Sequence, residues 1–194
     1  MVGGKRLVEV QAAQRMFLAR QPIFDNELRC IGYELLARES PENRTPHTDG
    51  DAATRRTLDV ALHLGGLPEL TGGRPVFINF TAPLLEQDLA TLLPPQTTVI
   101  ELLETIQPTP AVLDACHRLK KQGYRLAIDD FIGQRHLEPF LPVVDIVKVD
   151  FLATNETRRA RLVETLRDRP IQLLAEKLET REDFDDARAM GFAL

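Results

Sequence analysis

Tryptophan is absent from the 194 residues, aromatics make up only 6%, and the cysteines are two, Cys30 and Cys116. So few aromatics leave no stacking platform for single-stranded nucleic acid. Two cysteines far apart can build neither a disulfide framework nor a thiolate zinc site. Long apolar runs are missing too: nothing approaches the roughly 20 unbroken apolar residues of a membrane helix. Residues 1–15 hold no apolar stretch followed by a small-residue cleavage site, so no secretory leader is expected and the reducing cytoplasm is the expected compartment. Basic charge is in deficit, and a formal charge of −5 argues against a nucleic-acid polymer as partner. His47, His63, His117 and His136 lack metal-ligand spacing and are given no role.

What is there is 43% apolar and 27% charged, the balance of one globular domain, expected over 16–194 behind an N-terminal extension of 1–15. Short runs rich in Val, Ile, Leu and Phe predict strands over 16–23, 29–37, 75–81, 98–104, 125–131, 145–151 and 171–178, with a stub at 191–194. Between them, helices are expected over 52–64, 83–93, 110–121 and 156–168, and from Thr180 onward. The clearest is 110–121, where Val112, Ala115, Cys116 and Leu119 form one stripe, Thr109 is the N-cap and Pro110 takes the first helical position. Cys116 is therefore expected in the core, and Lys120 and Lys121 at a solvated helix end.

Strands alternating with helices imply crossover units and a parallel sheet, and strands apolar on both sides imply that both faces are covered. Seven strands and a stub favour an α/β fold of the (β/α)8 TIM-barrel type over a doubly wound sheet, since no glycine-rich phosphate loop follows the early strands. The length falls short of the roughly 250 residues typical of such barrels. The chain stops inside what reads as the last strand, so part of the barrel wall is expected to be missing. The open edges would then pair with a second copy, a homodimer. Residues 40–51 read as a loop on the C-terminal face, either a lid or a solvated connector.

Six of the runs carry a polar group in their last part: Glu34, Asn79, Glu101, Asp129, Lys148 and Glu176. One such group buried without a partner costs several kcal/mol, so a repeat in six strands points to function. In a parallel barrel the C-terminal strand ends converge on one face. Carboxylates crowded there need a cation to coexist, and all-oxygen ligation suits Mg2+ or Mn2+. Asp129 and Asp130 point to opposite faces of an extended strand, so both can serve metals only where the strand is ending. By the same alternation Glu104, three residues after Glu101, is expected to anchor a loop or support a ligand from behind. Asp145 and Asp150 read as turn or cap residues.

These residues, in this order, resemble the EAL family of cyclic di-GMP phosphodiesterases. The resemblance runs from Gln21 to Leu194. Gln21-Pro22-Ile23 and Tyr33-Glu34-Leu35-Leu36-Ala37-Arg38 match its opening, with Glu34 at the signature glutamate and Leu35 in place of the alanine. Phe77-Ile78-Asn79-Phe80-Thr81, Glu101-Leu102-Leu103-Glu104 and Asp129-Asp130-Phe131 are similar to its asparagine, ExxE and double-aspartate strands. Val147-Lys148-Val149-Asp150 resembles its lysine strand, and Ala175-Glu176-Lys177-Leu178-Glu179-Thr180 its AEGVET segment. The wording ELL, FINFT and AEKLE is most like the branch often joined to a C-terminal HDOD module, itself a candidate partner. The resemblance implies that Glu34, Asn79, Glu101 and Asp129 bind a first metal, with Asp129 and Asp130 serving a second. It gives Lys148 the attacking water or a phosphate, and makes Glu176 the general base or a metal-linked partner. Gln21 and Arg38 would contact the dinucleotide, Arg38 as a clamp on phosphate. The implied reaction is hydrolysis of cyclic di-GMP to linear pGpG.

Three departures from the family pattern weigh against the enzymatic reading, and the first bears on the second metal. Ile132-Gly133-Gln134-Arg135 stands where the family has a Gly-x-Gly loop, and the stretch to Lys148 is shorter. Lys177 replaces a glycine beside Glu176, and the glutamine that follows the family's last strand would lie beyond Leu194. Two readings therefore stand side by side: a metal-dependent phosphodiesterase, and a non-catalytic domain that senses cyclic di-GMP or binds a protein. For a chain ending at Leu194, inactivity is expected. A different metal-dependent barrel enzyme, an aldolase or a lyase, runs against the register of the motifs.

Overall fold

A computed structural model describes residues 17–38, 50–63 and 67–192. One sheet runs in chain order through β1 (Phe17–Phe24), β2 (Cys30–Arg38), β3 (Val76–Phe80), β4 (Thr98–Leu102), β5 (Arg125–Ile128), β6 (Ile146–Asp150) and β7 (Gln172–Glu176). The helices are α1 (Gly50–His63), α2 (Leu67–Thr71), α3 (Ala82–Glu86), α4 (Pro110–Lys121), α5 (Glu156–Leu166) and α6 (Arg181–Ala189). From β2 to β7 every pairing is parallel, as the alternation of strands and helices predicts. The first pair departs from it: β1 lies antiparallel to β2. The reason is length, since a parallel return needs a dozen or more residues and 25–29 can only make a hairpin. Asp25 braces that turn, its Oδ1 accepting from the backbone N–H of Glu27 and Arg29 at 2.9 and 3.0 Å.

The helix over 110–121 stands as expected, with Thr109 accepting from Val112 N–H and Cys116 fully buried. Burial pushes the Cys116 thiol up to about 12, which leaves it inert. Lys120 is not simply solvated: its ammonium reaches Asp145 at 2.5 Å, while the other carboxylate oxygen of Asp145 accepts from Leu126 N–H. The stretch 83–93 is broken into α3 and a 3-10 turn at Leu89–Leu92 by Asp88, whose φ is 55°. Neither α2 nor the 3-10 turn Arg135–Phe140 was legible, both being too short to show a period. The strand expected at 191–194 is absent as far as Phe192; Gly191 is a turn with φ 88°, and Phe192 packs edge-on against Phe151 at 5.2 Å. Residues 193–194, the N-terminal extension and 40–49 of the expected loop lie outside the described residues. Gly50 and Asp51, also placed in that loop, already belong to α1.

Two apolar layers line the curled sheet. The larger lies between strands and helices and includes Val76, Ile78, Phe80, Ile100, Leu102, Val147 and Val149. The smaller fills the concave side with Ile23, Phe77, Val99, Ala127, Ile146 and Leu174. Because side chains alternate along a strand, the residue two places on returns to the concave side, one storey higher. On β3, β4, β6 and β7 those residues are Asn79, Glu101, Lys148 and Glu176, and Asp129 takes the same place one residue past the end of β5. On β2 the same step leads from Gly32 to Glu34. Gly32 faces Phe77 so closely that a Cβ there would meet its ring at 3.3 Å and the Pro75 carbonyl at 3.1 Å. On the reversed strand β1 the step runs backwards, from Ile23 to Gln21, which sits opposite Glu34.

Candidate active site

Six strands thus deliver a polar side chain to one storey, and these side chains meet around a single ammonium. Lys148, 1% exposed, places Nζ 2.6 Å from Glu101 Oε1, 2.7 Å from Asp129 Oδ1, 2.8 Å from Glu176 Oε1 and 3.3 Å from Glu34 Oε2. Asn79 Nδ2 donates to Glu34 Oε1 at 3.2 Å. One ammonium cannot neutralise four carboxylates, and the protonation equilibria show the strain. Burial pushes the Glu101 carboxyl far above its ordinary range, Glu34 and Asp129 add to it, and Lys148 only partly offsets them. Burial likewise raises Glu176, to about 7, against the pull of Lys148. Burial works against the Lys148 charge, but Glu101, Asp129, Glu34 and Glu176 outweigh it and hold its pKa well above the lysine range.

Three atoms of this storey are buried with neither a hydrogen bond nor an ion pair among the described residues: Asn79 Oδ1, Glu101 Oε2 and Glu176 Oε2. Buried acceptors are rarely left so, and oxygen acceptors crowded with excess negative charge are the donor set of a hard divalent cation. Asn79 and Glu101, with Glu34 and Asp129 beside them, offer that donor chemistry.

Beside it lies a second cluster. β5 ends at Ile128, and Asp130, with φ 45°, turns the chain so that its carboxylate stays on the same side as that of Asp129. β4 ends at Leu102, so the alternation that would carry Glu104 to the far side stops. Glu104, Asp129 and Asp130 in fact offer carboxylate oxygens all within 4.8 Å of one another. The Glu104 carbonyl is also tied to the His136 ring at 2.9 Å, an anchor to the following loop. Gln134 folds that loop back, accepting from Ile132 N–H at 2.8 Å and donating to the Asp130 carbonyl at 2.9 Å. Lys177 donates to Asp130 Oδ1 at 2.9 Å and to Asp150 Oδ2 at 2.5 Å. Asp150 also keeps its turn role, accepting from Leu152 and Ala153 N–H. The work of Gln134 and Lys177 was not legible; the one signal for Lys177 was a long cation in place of a glycine.

A cleft of about 960 Å³ opens above both clusters between β1 and β7, with Gln21, Arg38, Asp130, Glu176 and Lys177 in its walls. Arg38 stands at the end of β2, on the same side of the strand as Glu34, and its Nε is buried without a partner.

The raised carboxyl of Glu176 makes stability depend on pH. The folded chain holds that proton more tightly than the unfolded one, so the contribution is complete below about 4.5 and lost as pH rises through about 7. Glu101 shifts in the same direction. With a chelator present, the melting temperature is expected to fall by about 5 °C between pH 5 and pH 8, and Glu176→Gln to flatten the fall. A melting temperature that rises over this interval would contradict the assignment.

The model of the EAL domain family matches residues 5–194. The chain belongs to the EAL family. It is 42% identical over 185 residues to the uncharacterized protein YuxH of Bacillus subtilis (strain 168), covering 93% of this chain and 45% of that protein. It is 40% identical over 183 residues to the cyclic di-GMP phosphodiesterase CdgJ of Vibrio cholerae serotype O1, covering 91% and 41%. This EAL domain therefore spans less than half the length of either relative. An EAL domain protein of Listeria monocytogenes EGD-e superposes with a TM-score of 0.72 at 22% identity, over 92% of this chain and 84% of that one. That likeness shows the fold, the TIM-barrel-like EAL fold, here a curled seven-stranded sheet. BlrP1 of Klebsiella pneumoniae, in a complex with manganese and cyclic di-GMP, gives 0.66 at 26% identity, over 93% and 54%. Among the described residues no helix is long and apolar enough to cross a membrane.

Proposed function

We propose that this EAL domain hydrolyses one phosphodiester of cyclic di-GMP to linear pGpG with the help of Mg2+ or Mn2+. The observation that carries the reading is the convergence of Glu34, Glu101, Asp129 and Glu176 on Lys148, with buried acceptors left over on Asn79, Glu101 and Glu176. Glu34, Asn79, Glu101 and Asp129 would hold the cation, which when bound acts as a Lewis acid toward phosphate and acidifies water. Glu176 presents Oε2, buried and without a partner, as the acceptor for the proton of the attacking water, while its Oε1 stays on Lys148. Lys148, whose three N–H groups are turned toward four carboxylates, would hold that water or a phosphate oxygen once the cation takes over some of those carboxylates. The water oxygen bonds to phosphorus as its proton passes to Glu176, the P–O bond to the ester oxygen breaks, and that oxygen takes up a proton from solvent to leave as the hydroxyl of pGpG, after which Glu176 gives up its proton to solvent. Gln21 and Arg38 line the cleft on the β1–β2 side, where the Arg38 guanidinium can clamp a phosphate. The similarity to CdgJ supports the same substrate, and the ELL, FINFT and AEKLE wording supports membership of the branch joined to HDOD modules.

Incubation with cyclic di-GMP and Mn2+, followed by chromatography, is expected to show pGpG accumulating with time; a flat time course at high protein concentration overturns the reading. A second reading is favoured by Lys177, which already neutralises Asp130. It makes the domain a non-catalytic sensor, and calorimetric binding of cyclic di-GMP without turnover identifies it. No binding at all would leave a protein-interaction module.

A further inference from the structure

We propose that the Lys177 ammonium stands in for a second divalent cation beside Asp130, so that the site carries one exchangeable cation and one fixed one. The inference rests on the divalent-cation site of the reading above. Its first ground is geometry: Lys177 Nζ lies 2.9 Å from Asp130 Oδ1 and 2.5 Å from Asp150 Oδ2. A divalent ion on that Asp130 oxygen, at the roughly 2.1 Å of Mg2+ ligation, would be pressed against a positive charge.

The second ground is that the ammonium is held in place. Asp150 is 7% exposed, and its other oxygen accepts from Leu152 and Ala153 N–H at 2.7 and 2.9 Å. The anchor is thus tied to the turn that closes β6 and cannot follow Lys177 outward. Asp130 is fixed from the other side, its carbonyl accepting from Gln134 at 2.9 Å while Phe131 N–H donates to the Lys148 carbonyl at 2.8 Å.

The third ground is the backbone. Lys177 sits at φ 57°, a conformation that glycine adopts freely and a long side chain only against steric resistance. A lysine kept there implies that its two ion pairs outweigh the strain. Removing the side chain should free Asp130 to join Glu104 and Asp129, whose oxygens already lie within 4.8 Å of its own. Lys177 is thereby a positioning residue that fixes Asp130 and limits the cation count.

The test is to count Mn2+ per chain by titration calorimetry, with electron paramagnetic resonance to detect coupled pairs, in the absence of nucleotide. The wild-type protein is expected to bind one uncoupled Mn2+. Lys177→Gly, which also relaxes the backbone, is expected to bind two coupled ions. Lys177→Met keeps the side-chain bulk and the strained backbone but removes the charge, and is expected to bind two as well. Adding Asp130→Asn to either variant should return the count to one. Equal counts in all three proteins, or a second ion in the glycine variant alone, overturn the proposal. The pGpG assay separates the two ideas. A count that rises from one to two while no pGpG forms upholds Lys177 and refutes hydrolysis. An unchanged count with pGpG formed refutes Lys177 alone.

Discussion

Glu176→Gln is expected to lower the turnover of cyclic di-GMP by roughly 10²–10⁴ while leaving its binding nearly unchanged. The amide keeps the shape and the Lys148 hydrogen bond but cannot accept the proton of the attacking water. Burial and the neighbouring acids have already raised this carboxyl to about 7, with Lys148 opposing them. A base poised near the working pH is the one that general-base catalysis favours. A bound divalent cation favours the carboxylate and lowers that value, so the wild-type rate should rise with pH along a limb below about 7 that the variant lacks. Calorimetry on the variant keeps binding apart from turnover. A Glu176→Gln protein that hydrolyses cyclic di-GMP at the parent rate would place the base on another residue.

The site storey was legible because a strand has a period of two. Once 75–81, 98–104, 125–131, 145–151 and 171–178 read as strands, Asn79, Glu101, Asp129, Lys148 and Glu176 fell at corresponding places. Alternation alone put them on one side of the sheet. The same rule misled wherever a strand stopped sooner than its apolar run. β4 ends at Leu102 and β5 at Ile128, so Glu104 and Asp130 obey turn geometry and close on Asp129. The direction of β1 followed from the shortness of 25–29, not from its pattern, which is the same for either direction. Long-range ion pairs leave no periodic trace at all. Lys177 meets Asp130 and Asp150 only because three strand ends come together, and no spacing along the chain records that.

Lys148→Met is expected to destabilise the cation-free protein by about 3–5 kcal/mol near pH 8, the cost of leaving buried charges without their partner. The methionine fills much the same space, so packing is nearly kept and the loss is electrostatic. Glu101 is fully buried and its Oε1 meets the ammonium at 2.6 Å; without it the carboxyl must take up a proton or the fold must open. Near pH 5 protonation is cheap and the penalty should shrink, which separates this effect from a simple packing defect. Divalent cations should reverse it. An ion that binds only the folded chain stabilises it by about 4 kcal/mol at a thousand times its Kd. The freed oxygens of Glu34, Glu101, Asp129 and Glu176 would hold it without competition from an ammonium. Urea titrations of the two proteins, with chelator and with Mn2+ at pH 5 and pH 8, measure all of this. An unchanged midpoint in chelator at pH 8 would mean that the four carboxylates are already protonated and that Lys148 does not hold the storey together. A loss that Mn2+ does not repair would mean that these oxygens are not a cation site.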